Sequence, residues 1–251
     1  MILNNIIIAF ITLLFSNLNS FICRNFHTRE KLKAINLTKK TPVIDRDNSL
    51  IMMEEYYNVY YYEDFIMYKL NYTFDSLNNH EHVLQEIRSF FLVFHKDSTN
   101  GYVYFIKPDN VLNYNRRVNR DSILKVHKFE SDVYDTLLNF KPDSTYQDKD
   151  EVVRVYKDPP PPNSVKQTEK FNLYFYYTKK LKEVPETFSK KMDNIRGMKL
   201  CKILIKVSGG YYKEFNTSFP SRELLQEMKE ITIENKDEIL GYFKKYKTSS
   251  L

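Results

Sequence analysis

The sequence predicts an α+β or mixed α/β protein, built as two lobes of aromatic-rich sheet with amphipathic helices. Three observations carry this expectation. Short runs of Tyr, Phe, Val and Ile, bounded by turn residues, recur along the chain and favour strands. Between them lie stretches whose apolar residues are three and four apart, the spacing of a helix with one buried face. A tract of four prolines, Pro159–Pro162, divides the body into stretches of similar make-up. Prolines cannot donate ladder hydrogen bonds and form a stiff extended spacer. With 251 residues, 42% of them hydrophobic and 15% aromatic, the chain has enough apolar material for a core.

The leader comes first. Residues 1–23 carry no Lys, Arg, Asp or Glu, and Ile6–Phe15 is an apolar run broken only by Thr12. That length suits a signal-peptide core, whereas a membrane-spanning helix needs about 20 residues. A cleaved signal peptide over 1–23 is expected, the alternatives being a buried N-terminal helix or a signal anchor. Residues 24–40 hold six bases and one acid, Glu30, with several Asn and Thr, which is transit-peptide composition. The net charge of +6 is concentrated there, and the remaining body is close to neutral. Nucleic acid is therefore not an expected partner. A signal peptide followed by such a segment makes a bipartite plastid address; an ordinary secreted protein with a basic arm explains the composition equally well. Richness in Asn, Lys, Tyr, Phe and Ile fits an AT-rich genome, as in a parasite that keeps a relict plastid.

The body is expected as a first lobe over 41–158, a spacer over 159–164 and a second lobe over 165–251. In the first lobe, Val59–Tyr62 and Phe65–Leu70 read as strands. His82–Arg88 starts a helical pattern through Val83, Leu84, Ile87 and Phe91, and Phe90–Phe94 fits either state. Gly101–Ile106 is a strand, Ile123–Phe129 alternates apolar and basic residues, Ser131–Asn139 is a short helix and Glu151–Tyr156 a strand. In the second lobe, Phe171–Thr178 and Leu200–Val207 are strands, with Pro185–Ile195 helical between them. Gly209-Gly210 suits the positive φ of a tight hairpin returning over Tyr211–Phe215. Ser221 can cap a helix with the stripe Leu224, Leu225, Met228 and Ile231, and Ile239, Leu240, Phe243 and Tyr246 repeat the spacing in a closing helix. A pseudo-symmetric pair of lobes is compatible with this order, without a clean residue repeat.

The candidates for chemistry are few. Five scattered glycines cannot form a phosphate-cradling loop, and Cys23 and Cys201 cannot make a disulfide framework or a cysteine-rich zinc site. His80-Glu81-His82 lacks further ligand spacing and reads as a solvated turn. Ser208-Gly209-Gly210 is a turn rather than a nucleophile elbow, and Cys201 sits in an apolar run without a visible His partner. Asp148, Asp150 and Glu151 read as a solvated loop. The sequence therefore points to no enzyme, no cofactor and no metal. The sequons at Asn36, Asn71 and Asn216 are weak signals in an Asn-rich chain. What stands out is tyrosine on strands whose two faces are both aromatic. Tyr60, Tyr62, Tyr174 and Tyr176 are the candidate polypeptide-binding residues, since tyrosine joins apolar area to a polar tip. Helices covering both faces are the plainer alternative.

Several stretches resemble the Tic-twenty-two family, the soluble import component of the translocon at the inner envelope of chloroplasts. Pro42-Val43-Ile44 with Asp45-Arg46-Asp47-Asn48 is similar to that family's opening strand and turn. Ile123–Leu138 resembles its strand and helix segment, with Val133-Tyr134 at the matching place. Val152–Val165 is similar to the following strand and proline turn, and Phe219-Pro220-Ser221-Arg222-Glu223 to a late strand end and helix start. Phe171–Phe175 lacks the Gly and Pro of the family's second-half strand. The resemblance implies a two-lobed, pseudo-symmetric α/β escort between the membranes of a secondary plastid, without catalytic residues or cofactor. Its partners would be unfolded preproteins and translocon components, with peripheral membrane contact compatible with that place. The alternative is a secreted parasite protein whose lineage-specific domain acts on the host cell or its surface.

Overall fold

The computed structural model describes residues 32–45, 49–78, 82–105, 115–125, 129–131, 133–159, 170–212 and 217–249, with the backbone alone at 72–78, 82–87, 115, 133, 212, 217 and 249. The expected signal peptide over 1–23, residues 24–31 of the basic segment and 160–164 of the spacer lie outside the described residues.

From Lys33 onward the chain is dominated by one antiparallel sheet with a few short helices, more sheet-rich than expected. In chain order the elements are β1 (Lys33–Ile44), β2 (Leu50–Tyr62), β3 (Phe65–Asn78), β4 (His82–His95), β5 (Asn100–Phe105), β6 (Asn115–Asn119), α1 (Arg120–Leu124), a 3₁₀ helix (Val133–Asn139), β7 (Ser144–Asp148), β8 (Glu151–Lys157), β9 (Phe171–Thr178), α2 (Lys190–Arg196), β10 (Lys199–Val207), β11 (Gly210–Tyr212), β12 (Thr217–Phe219), β13 (Arg222–Glu230) and α3 (Lys236–Ser249). The strand order is β6-β5-β4-β3-β2-β1-β13-β10-β9-β8-β7, with β11 and β12 a separate pair. Tight turns drive the meander: Glu63 (φ 55°) and Lys149 (φ 52°) take left-handed conformations in two-residue hairpin loops.

The seam between β1 and β13 joins the two flanks, from Ile35 opposite Glu230 to Lys40 opposite Leu225. Two of the expected boundaries lie within this sheet. Residues 33–40, read as the end of the basic leader, belong to the central strand, where Ala34, Ile35 and Leu37 are buried. The proline tract does not separate two sheets either: β8 and β9, on either side of it, are hydrogen-bonded neighbours.

Local expectation and structure part at four places. His82–Arg88 is strand, because β4 pairs with β3 along its whole length and Phe90–Phe94 also pair with β5. Arg222–Glu230 is strand rather than helix, because it fills the slot between β10 and β1 on both edges. In both, cross-strand pairing outweighs local helical spacing. Of the expected strand Ile123–Phe129, Ile123 and Leu124 close α1, which starts at the Asn119 side chain accepting from the Ser122 N–H at 3.0 Å. Tyr211 pairs with β12 and not with β10, and Gly209 serves close approach rather than positive φ: an added Cβ would lie 2.6 Å from Ser221 N. The 3₁₀ helix, α2 and α3 stand near the helices expected there.

The sheet buries both faces, unequally. On the first face Ile35, Leu37, Val59, Ile66, Leu92, Phe175, Ile203 and Met228 join one core with Leu137, Leu181, Phe188 and Met192 of the covering segments. On the second face α3 lies across β2–β5. Tyr242 meets Phe91 at 4.2 Å between ring centres, Phe243 meets Tyr62 and Tyr246 meets Phe65 and Tyr102.

Candidate binding surfaces

Cross-strand register puts Tyr60, Tyr62, Tyr174 and Tyr176 on the second face of the sheet. The structure uses them differently. Tyr60 is buried, and burial together with the nearby Glu238 raises its pKa. Tyr62 packs on Phe243, with Lys247 Nζ 5.4 Å from its ring centre. These two tyrosines are taken up by α3. Tyr174 and Tyr176 lie on the other flank, half-buried, with Lys206 and Lys202 over their rings at 5.8 and 4.6 Å. They stand next to Val155, Val153 and Leu204 across the ladders. This flank presents an aromatic, lysine-edged strip rather than a deep groove.

A surface that the sequence reading did not single out is the far end of the β1–β2 hairpin. β3 pairs with β2 only over Asn58–Tyr62, and β13 pairs with β1 only up to Lys40. Leu50–Tyr57 therefore have β1 on one edge and no described strand on the other. This arm is apolar on both faces. Ile51 is 49% exposed, Met53 54% and Tyr56 52%, and Val43, Leu50 and Met52 are exposed beside them. Across the arm Lys40 Nζ pairs with Glu54 Oε1 at 2.7 Å, and Asp45 N–H donates to Ser49 O at its turn. A free strand edge flanked by exposed apolar side chains is a template for adding an extended strand. The sequence signal for it was the run Leu50-Ile51-Met52-Met53, apolar at successive positions and so apolar on both faces of any strand.

A cleft of about 320 Å³ opens on the first face between the sheet and the segments carrying α1 and Glu186. Leu37, Ile66, Tyr68 and Phe94 form its floor, and Leu124, Phe129 and Pro185 its apolar walls. The Glu186 carboxylate accepts hydrogen bonds from Tyr61 Oη and, at 2.7 Å, from Tyr68 Oη. Burial pushes the Glu186 carboxyl up to about 7, against the lowering pull of its own backbone hydrogen bond and of Lys199. Burial also raises the Tyr68 phenol. The Glu186 segment is held from below. Buried Lys199 donates from Nζ to Val184 O at 2.8 Å and Glu186 O at 2.9 Å, and pairs with Asp193 at 3.0 Å. Asp193 in turn accepts from Thr187 Oγ1 and Leu200 N, both at 2.7 Å. Sequence reading missed Glu186 because Tyr61 and Tyr68 lie far from it along the chain.

The remaining sequence candidates fall as follows. His80 lies outside the described residues, and His82 opens β4. Among the described residues no three of His, Cys, Asp and Glu are placed to hold a metal ion. Cys201 is buried at a bulge in β10, and burial with the neighbouring Glu151 pushes its thiol pKa up, away from the reactive thiolate. Asn36 is inside β1, where its side chain donates to Asn58 Oδ1 at 2.8 Å and accepts from Thr38. No described helix is long and apolar enough to cross a membrane. No family model, no curated protein and no solved structure matches the chain.

Proposed function

We propose that this protein is a non-enzymatic, chaperone-like binder of polypeptides that acts in protein import into a secondary plastid. The observation that carries the reading is the β1–β2 arm, with a strand edge that no described strand pairs and with exposed Ile51, Met53 and Tyr56. An extended preprotein segment would add to the Leu50–Tyr56 edge through main-chain hydrogen bonds, which are indifferent to sequence. Its apolar side chains would lie on Val43, Ile51 and Met53. Such a binder holds many clients without chemistry. The strip around Tyr174 and Tyr176 is the second contact, where tyrosine and lysine suit mixed segments. The flanks on either side of the β1–β13 seam are the two lobes of this escort. Place is supported by the apolar run at Ile6–Phe15, the basic residues after it and the resemblance to the plastid import component.

Two experiments test the two halves of the reading. The full chain should suppress aggregation of a chemically unfolded, reduced protein, and the Ile51→Lys/Met53→Lys variant should lose about tenfold in that capacity while keeping its melting temperature; equal capacity in both removes the arm as the gripping surface. A fluorescent reporter fused behind residues 1–45 should reach the plastid. Release of the reporter from the cell replaces the import assignment with the secreted interaction protein.

A further inference from the structure

The Glu186 cleft is not used by the polypeptide-binding reading, yet it has the make-up of a site for a small charged group. The local charges cancel except for one. At the mouth, Arg120 pairs with Asp121 at 2.8 Å, Lys96 with Asp64 at 2.8 Å and Lys190 with Glu130 at 3.4 Å. Beneath the cleft, Lys199 is matched by Asp193. None of the described ion pairs involves Glu186, whose carboxylate accepts from the phenols of Tyr61 and Tyr68 and from its own backbone N–H. Of the four lone pairs on its two oxygens these three donors leave one for a further N–H. The rings of Tyr68, Phe94 and Phe129 line the same cleft, and their faces attract cations. The Arg120 guanidinium already lies 5.3 Å from the centre of Phe94, a cation seated on a ring of the cleft floor. The volume matches the lower end of small-ligand sites and leaves space for a short carbon chain beside the head group.

We infer that the cleft binds a primary alkylammonium group, one of whose N–H bonds is taken by the Glu186 carboxylate while its carbon chain lies between Phe129, Leu124 and Ile66. A neutral alcohol of equal length would lose the ion pair, and a carboxylate ligand would meet like charge. The ammonium has two natural sources, a free amine or a lysine side chain on a polypeptide. Neither depends on the arm holding clients.

The test uses the full chain with n-butylammonium and 1-butanol as probes, followed by calorimetry and by the Tyr68 ring signals in NMR spectra. The amine should bind at least about tenfold more tightly than the alcohol. Its affinity should rise as pH increases from 6 to 8, as the carboxyl loses its proton. Glu186→Gln should weaken the amine about tenfold and leave the alcohol unchanged. An acetyl-lysine peptide set against its lysine counterpart separates the two sources: discrimination between them assigns the site to polypeptide lysines, and its absence with amine binding intact assigns it to free amines. Equal binding of amine and alcohol, no amine binding at millimolar concentration, or an unchanged affinity in Glu186→Gln would overturn the inference. Should the variant not fold, the amine–alcohol comparison and its pH dependence on the wild-type chain decide the matter.

Discussion

The two ends of the β1–β2 hairpin are made of the same kinds of residue and live in opposite surroundings. At one end Ala34, Ile35 and Leu37 face Tyr60, Val59 and Tyr57 across the ladder, and Ala34, Ile35, Leu37 and Val59 are almost fully buried. At the other end Val43 faces Ile51 and Thr41 faces Met53, and both apolar residues of β2 are about half exposed. Hydropathy does not separate them. Neighbours do: β13, β3 and the Glu186 segment reach only the first end. A strand therefore owes its burial to what lies beside and above it, and an apolar strand end left uncovered is available to a partner.

The comparison can be broken most severely by removing the cover. Asp193→Ala leaves Lys199 as an uncompensated buried cation under the Val184–Glu186 segment, and should cost about 3–5 kcal/mol in urea unfolding. Replacing Asp193 and Lys199 together with apolar residues should recover most of that loss. Next comes the buried end itself. Leu37→Ala should cost about 2–5 kcal/mol by opening a hole in the first-face core.

The link between cover and sheet also has a pH window. Glu186 has a folded value of about 7, above its ordinary 4.5, with Tyr61, Tyr68, Arg120 and Lys199 as the polar and charged groups around it. A carboxyl raised on folding favours the fold while protonated. Its contribution is complete below about 4.5 and is lost as pH rises through about 7. The urea midpoint should fall over that window in the wild type, and Glu186→Gln should flatten the slope there. An equal slope in both assigns the dependence elsewhere. The smallest effect belongs to the exposed end: Met53→Ala should change stability by no more than about 0.5 kcal/mol, so a loss as large as that of Leu37→Ala would mean the arm is covered.

Much of the sheet was legible beforehand. Phe171–Thr178, Leu200–Val207 and Glu151–Tyr156 are dense in aromatic or β-branched residues, which fit a pleated, half-buried surface wherever it lies. The closing helix was legible because Ile239, Phe243 and Tyr246 fall on one face and are buried there. Residues 82–88 and 222–230 were not, because their spacing suits a helix while both strand edges offered hydrogen bonds to neighbours distant in sequence. The start of the body was hidden for a related reason: basic residues mark 33–40 as leader-like, yet Lys39 and Lys40 stand where the seam begins to open, while Ala34, Ile35 and Leu37 carry the burial.

By itself the sequence determined that segments such as Phe171–Thr178 and Leu200–Val207 suit strands, that the closing helix has one apolar side, and that no glycine-rich phosphate loop can be built. These are local matters, set by side-chain shape, spacing and backbone freedom. Only the tertiary structure decided that β1 stands between β2 and β13, that Tyr60 is buried beneath α3 while Tyr176 stands beside lysine, and that Glu186 meets phenols from β2 and β3. Those outcomes depend on which distant segments become neighbours. That choice rests on the total surface and hydrogen bonding satisfied across the whole sheet, which no short window of sequence contains.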